Sequence, residues 1–231
     1  MTKRVKSVNN SMTVKIDDLL QYDPLTSNQE KAYTAWDEGD NLVLTGSAGT
    51  GKTFMAIYLA LEEVLEGCMY EKLVVIRSMV PTRDMGFLPG SKEEKIDAFT
   101  SPYKNICCEL FGDKGSYNKM LNAGQIVFDS TSFIRGTTYD NSVIVVDEMQ
   151  NLNFHELDSV ITRIGKNSKI IFCGDYKQSD FKFDDEKNGI IRFLQIVEQL
   201  KNFTIINFGW EDIVRSDFVR DYIMTKEMLG Y

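Results

Sequence analysis

The stretch Gly46-Ser47-Ala48-Gly49-Thr50-Gly51-Lys52-Thr53 constrains this chain more than any other. It has the spacing G-x-x-x-x-G-K-[ST] of a phosphate-binding loop. Glycines let the backbone turn tightly and present its N–H groups inward, with no Cβ in the way. The helix that follows aims its positive N-terminal end at the same phosphates. Lys52 then reaches the β- and γ-phosphates as a point charge, and the Thr53 hydroxyl takes a place on Mg²⁺. The flanks agree. Residues 41–45 read as a short buried strand. Residues 53–66 read as a helix with Phe54, Ile57, Ala60, Leu61, Val64 and Leu65 on one side. Residues 46–53 are therefore the expected nucleotide-binding loop.

A loop of this kind needs an acidic partner at the end of another strand. Residues 142–146 form a strongly apolar run that ends in Asp147-Glu148-Met149-Gln150-Asn151. This is the Walker B pattern. Asp147 is placed to hold Mg²⁺ through its water shell, and Glu148 to orient or deprotonate an attacking water. Glutamate beside the aspartate favours hydrolysis over transfer to a small molecule. Further β-branched or apolar runs at 72–76, 125–128, 169–173 and 203–207 supply the other strands, with helical patterns between them. The fold class that follows is α/β, a mostly parallel sheet with helices on both faces. Ligands of such sheets sit outside the strand carboxyl ends. Three polar clusters fall there: Arg77 and Ser78 with Thr82 and Arg83, the Asp147-Glu148 pair, and Asp175 with Gln178. Each is either a working edge or an ordinary solvated turn. Gln178 on the working reading touches the γ-phosphate.

Residues 91–123 read as two or three helices with no strand between them, an insertion beside the sheet. Residues 1–24 are weakly patterned and read as an arm, either loose or packed on the edge of the core. The single domain then spans 25–231. Ahead of the first strand, Thr26 with Gln29 or Ser27 with Glu30 makes a capping box. Gln29 either closes that box or reads adenine, since its amide offers a donor and an acceptor together. Near the end, 189–200 reads as an amphipathic helix after a charged turn at 184–187, and a last helix opens at Glu211. Arg215 and Arg220 on it are either arginine fingers or ordinary surface ion-pair partners. Phe87 and Tyr103 either stack nucleic-acid bases or pack in the core.

At 231 residues the chain has room for one sizeable domain and its core. Its net charge of −8 argues against general attraction to nucleic acid, though not against a local basic groove. Cys68, Cys107, Cys108 and Cys173 follow neither a zinc nor a disulfide spacing and read as reduced thiols. His155 is the sole histidine and reads as an exposed helix-start residue. No signal peptide or membrane-length apolar run is present, so a cytoplasmic protein is expected.

Several stretches together resemble the PhoH family of P-loop ATPases, found in bacteria and bacteriophages and similar to the ATP-binding half of superfamily 1 helicases. They are GSAGTGKT, RSMVPTRDMGFLPGSKEEK, FIRGTTYDNSVIVVDEMQN, GDYKQSD and EDIVRSDFV, spread over residues 26–225. The resemblance implies a RecA-like P-loop domain that uses ATP and Mg²⁺. It matches Gln29 to the adenine-reading motif, Lys52 and Thr53 with Asp147 and Glu148 to Walker A and B, Gln178 to the γ-phosphate sensor, and Arg215 to the family's late arginine. Arg77, Thr82 and Arg83 fall where helicases hold a single strand. Single-stranded nucleic acid, RNA before DNA, is therefore the implied partner, and a helicase-like RNA motor the implied activity. Ser78, Met149 and Ser216 depart from the family's usual Pro, Ala and His. A superfamily 1 helicase squeezes ATP between two such domains, and this chain carries strands for one. An arginine finger then comes most simply from a neighbouring subunit, so a homo-oligomeric ring is expected, six-membered by preference. The rival expectation is an ATP-gated assembly or adaptor protein with no nucleic-acid substrate.

Overall fold

Short runs such as 143–146, apolar on every residue, bury both faces, and that is possible only inside a sheet covered on both sides. The computed structural model describes residues 13–78, 92–131, 134, 136–175 and 184–229. In chain order these form α1 (Ser27–Asp37), β1 (Asn41–Gly46), α2 (Lys52–Glu66), β2 (Lys72–Arg77), α3 (Lys92–Phe111), α4 (Ser116–Asn122), β3 (Ile126–Ser130), β4 (Ser142–Asp147), α5 (Phe154–Ile161), β5 (Lys169–Gly174), α6 (Asp184–Val197), β6 (Phe203–Phe208) and α7 (Asp217–Met228). The strands make one sheet in the order β3-β2-β4-β5-β1-β6. Every pairing is parallel. The α/β expectation holds.

Two apolar layers follow from the alternation of strand side chains. On one face Leu42, Leu44, Leu73, Val75, Val143 and Val145 pack under α1, α2, α3 and α4. On the other, Val43, Val74, Ile76, Ile144, Val146 and Phe172 pack under α5 and α6. Trp36 at the end of α1 is held by Lys169, whose ammonium lies 3.5 Å from the indole centroid and donates to the Trp36 carbonyl at 2.8 Å. A cation at a helix C-terminus suits the dipole there. Val14 and Leu19, from the segment before α1, are buried in the first layer. Between β2 and β3 stand α3 and α4, with Tyr103, Cys107 and Leu110 turned into the same layer.

Two boundaries differ from the sequence reading. The charged run 184–187 is the start of α6 and not a turn. Gly189 falls inside that helix because α5 lies close: a Cβ there would meet Phe154 Cβ at 3.1 Å. Asn153 caps α5 with Glu156 in a reciprocal capping box. The last helix begins at Asp217, not Glu211. Residues 210–212 form a single 3-10 turn, and Val214 then donates to the Gly49 carbonyl at 3.1 Å, a bond that a continuous helix would forbid. The four cysteines are free thiols. Among the described residues no helix is long and apolar enough to cross a membrane.

The sheet fixes the phosphate loop through its glycine. Gly46 has φ 116°, and a Cβ on it would overlap the Phe208 carbonyl oxygen on β6. The obstacle is backbone, which cannot step aside. Gly46→Ala should lower unfolding free energy by about 2 kcal/mol or more, measured by urea denaturation. An unchanged midpoint and slope would show that β6 does not grip the loop in this way.

Candidate functional site

The loop leaves β1 at Gly46 and enters α2 at Lys52, with Gly49 and Gly51 also at positive φ. Ser47 donates its N–H to Phe208 O at 3.1 Å, and Thr50 donates its hydroxyl to Ser47 O at 3.1 Å. Lys52 folds back over the loop. Its ammonium donates to Gly46 O at 2.8 Å, Ser47 O at 2.7 Å and Thr50 Oγ1 at 3.2 Å. Burial lowers its pKa from the ordinary lysine value, while Asp175, Glu148 and Asp147 pull the other way. A buried ammonium facing three carboxylates and neutral carbonyls is poised to meet an anion.

The acids come from β4. Asp147, buried at the strand end, accepts from the Thr53 hydroxyl through Oδ1 at 2.7 Å and from the Tyr103 hydroxyl through Oδ2 at 2.9 Å. Glu148 follows with φ 52° and ψ 45°, a left-handed conformation that is costly for a residue with a Cβ. Burial, then the Asp147 charge, raises its pKa above the ordinary carboxylate value. Gln150 donates to Glu148 Oε2 and accepts from Asp175 N, so it bridges the ends of β4 and β5. That bridge needs Gly174: a Cβ there would overlap Gln150 Oε1.

Register brings in Arg77, the β2 partner of Asp147. It is half-buried and interacts electrostatically with Tyr103. Burial opposes its charge, but Tyr103, Asp147 and Glu148 outweigh burial and raise its pKa. Burial and the adjacent Asp147 push the Tyr103 phenol far above its usual range, so it remains a hydrogen-bond donor. Arg77 thus stands beside the Walker B acids. Thr82, Arg83, Phe87 and Gln178 lie outside the described residues.

Lys52, Thr53, Asp147, Glu148, Gln29 and Arg215 all line one cavity of about 620 Å³, a size suited to a small-molecule ligand. Its far end is built by Tyr22, Leu25, Tyr33, Phe54 and Ile106. Tyr22 meets Phe54 edge-on with ring centroids 4.9 Å apart. Gln29 stands between the two ends. Thr26 caps α1 by accepting from Gln29 N at 3.3 Å. The Gln29 side chain accepts from Leu25 N at 2.7 Å and donates to Thr50 O at 3.1 Å. It therefore ties the entry to α1 to the phosphate loop, and one amide hydrogen and one lone pair of the group remain beyond those two bonds.

The segment after β6 closes the cavity. Arg215 Cγ lies 3.0 Å from the Cβ position of Gly49, and Val214 is bonded to that residue's carbonyl. Arg220 is exposed on α7. From α7, Glu227 accepts from Ser47 Oγ at 3.1 Å and from Trp210 Nε1 at 2.6 Å through the same oxygen. Sequence reasoning gave no role to Gln150 or Glu227 and read Tyr103 as a packing or stacking ring. Gln150 was signalled by its place in the acidic run, but nothing in the sequence pairs residue 227 with residue 47.

The donor set fits Mg²⁺. Among the described residues no cluster of three or more His, Cys, Asp or Glu could hold a metal on its own. Mg²⁺ instead takes one or two protein oxygens and completes its shell with phosphate and water. Thr53 Oγ1 and Asp147 are such oxygens.

Comparison with known proteins supplies the family. The family model described as PhoH-like protein matches residues 21–226. Protein PhoH2 of Bacillus subtilis is 37% identical over 164 residues, which cover 69% of this chain and 37% of that protein. A PhoH-like protein of Synechocystis is 30% identical over 204 residues, covering 87% of this chain and 61% of its own. The chain therefore spans between 37% and 61% of the length of these relatives. Among solved structures, the large terminase of a thermophilic bacteriophage aligns over 86% of this chain and 49% of the terminase chain, with TM-score 0.52 and 14% identity. The same terminase in complex with ATP-gamma-S aligns over 86% of this chain and 48% of its own, with TM-score 0.50 and 14% identity. At that identity the likeness establishes the fold alone, a RecA-like P-loop fold. With the family match running over nearly the whole described sheet and its helices, this chain belongs to the PhoH-like protein family.

Proposed function

We propose that this protein binds ATP with Mg²⁺ in the cavity between β1, β4 and α1 and hydrolyses it. One observation carries the reading: the Thr53 hydroxyl of α2 meets Asp147 of β4 at 2.7 Å, so two sequence-remote oxygens converge beside Lys52. In this reading Lys52 exchanges its carbonyl partners for phosphate oxygens. Glu148, aimed by its left-handed backbone and held by Gln150, orients the attacking water. Thr53 and Asp147 would hold Mg²⁺, which would supply positive charge against the charge that develops on the transferring group. Arg215 adds a cation from the wall of its own chain's cavity. Gln29 reads adenine with the spare half of its amide, and the apolar end with Tyr22 and Leu25 receives the base. Gln178 keeps its proposed role as a phosphate sensor.

Nucleic acid remains the proposed partner of the motor, single-stranded and RNA before DNA, with Arg77, Thr82 and Arg83 as its contacts. Helicase-like remodelling and a cytoplasmic setting belong to the same reading. Homo-oligomerisation is supported by α7, which leaves Phe218 80% and Tyr222 63% exposed. A six-membered ring is the form we favour. The rival reading, ATP-gated assembly without nucleic acid, draws on the same exposed face and on the net charge of −8.

Lys52→Ala should lose both ATP binding and turnover. Glu148→Gln should keep binding within a few-fold and cut turnover by about 10²-fold or more. Turnover at the wild-type rate in Glu148→Gln would remove that residue from the mechanism. Single-stranded RNA should raise the steady-state ATPase rate, more at low salt than at high. A rate that ignores polynucleotide but climbs per subunit with protein concentration would favour the assembly reading instead.

A further inference from the structure

We infer that Tyr103 is a positioning residue for the Walker B carboxylate: its hydroxyl holds Asp147 so that one oxygen is kept for Thr53 and the metal side. This deepens the proposed nucleotide site and rests on that reading. Tyr103 is fully buried on α3, the first helix between β2 and β3. Its ring packs near Phe128, with centroids 5.9 Å apart. A phenylalanine would fill that space equally well, so packing does not account for the hydroxyl. A buried hydroxyl is costly unless it is hydrogen-bonded. This one donates to Asp147 Oδ2 at 2.9 Å.

The other carboxylate oxygen, Oδ1, accepts from Thr53. A donor on each oxygen fixes the rotation of the carboxylate about its last torsion. Thr53 gives its proton to Asp147 and keeps its lone pairs for a cation, so the acid's orientation sets the hydroxyl's. Arg77, Tyr103, Asp147 and Thr53 form a line of side chains drawn from β2, α3, β4 and α2 in turn. The helix backs this up. Pro102 lies directly before Tyr103 within α3, where it removes a backbone donor. From Tyr103 onward Cys107 and Leu110 share its buried face at helical spacing, and both are in the core. Tyr103 is therefore seated on the core-facing side of the helix.

The test is Tyr103→Phe in the full chain, read by the affinity of a fluorescent non-hydrolysable ATP analogue in EDTA and in Mg²⁺. The wild type should bind more tightly with Mg²⁺. In Tyr103→Phe the affinity in EDTA should stay within about twofold, while the gain on adding Mg²⁺ shrinks by about threefold to tenfold. Phe128→Leu, which disturbs the ring's packing but spares the hydroxyl, should keep the full gain. A Mg²⁺ gain that survives Tyr103→Phe overturns the positioning role and leaves the nucleotide site standing. So does an equal loss in Phe128→Leu. A wild type that gains nothing from Mg²⁺ overturns the metal-nucleotide reading and the inference with it.

Discussion

Parallel strands deliver their carboxyl ends to a single edge, and here that geometry sets charge beside charge. β4 brings Asp147 and Glu148, and β5 brings Asp175. β1 runs into the loop that carries Lys52, and β2 ends in Arg77. Burial raises the pKa of Glu148 and lowers that of Lys52. The edge is tolerable because both β4 acids have donors: Thr53 and Tyr103 for Asp147, Gln150 for Glu148. Among the described residues, the cation held beside them donates only to neutral oxygens of its own loop.

Backbone approach makes the arrangement specific. Gly46 lets β6 come against the loop, and Gly174 lets Gln150 reach across from β4 to β5. Glu148 has no such freedom and still takes a left-handed turn. Strain of this kind persists only where the surroundings over-determine it. Here Asp147 is fixed on one side and Gln150 on the other, so the turn has little room to relax. The segment after β6 then folds back and bonds Gly49 and Ser47 through Val214 and Glu227. The loop is thus clamped by residues far along the chain, which couples α7 to the phosphate end of the cavity.

Much of this was legible in the sequence, for identifiable reasons. The phosphate loop and the acidic strand end are local patterns whose chemistry demands their spacing. The six strands are short apolar runs, and helices between all consecutive strands but β3 and β4 imply the parallel arrangement. Contacts between remote elements were not legible. Arg77 read as a residue of the strand's working edge, and only the register with β4 shows it beside Asp147 and Tyr103. Tyr103 carries no local signal, because its partner is 44 residues away. The end of the chain read as one helix from Glu211. A tertiary bond from Val214 to the phosphate loop overrode that local preference.

The central claim is that Lys52, Thr53, Asp147 and Glu148 form one hydrolytic site within this chain. Single-turnover hydrolysis of radiolabelled ATP, with protein in excess and with Mg²⁺ either present or chelated, tests it most directly. The account predicts release of labelled phosphate from the γ-position with Mg²⁺ and none without it. Bound ATP that remains intact with Mg²⁺ over many hours would contradict it, and would leave a nucleotide-binding protein in place of a hydrolase.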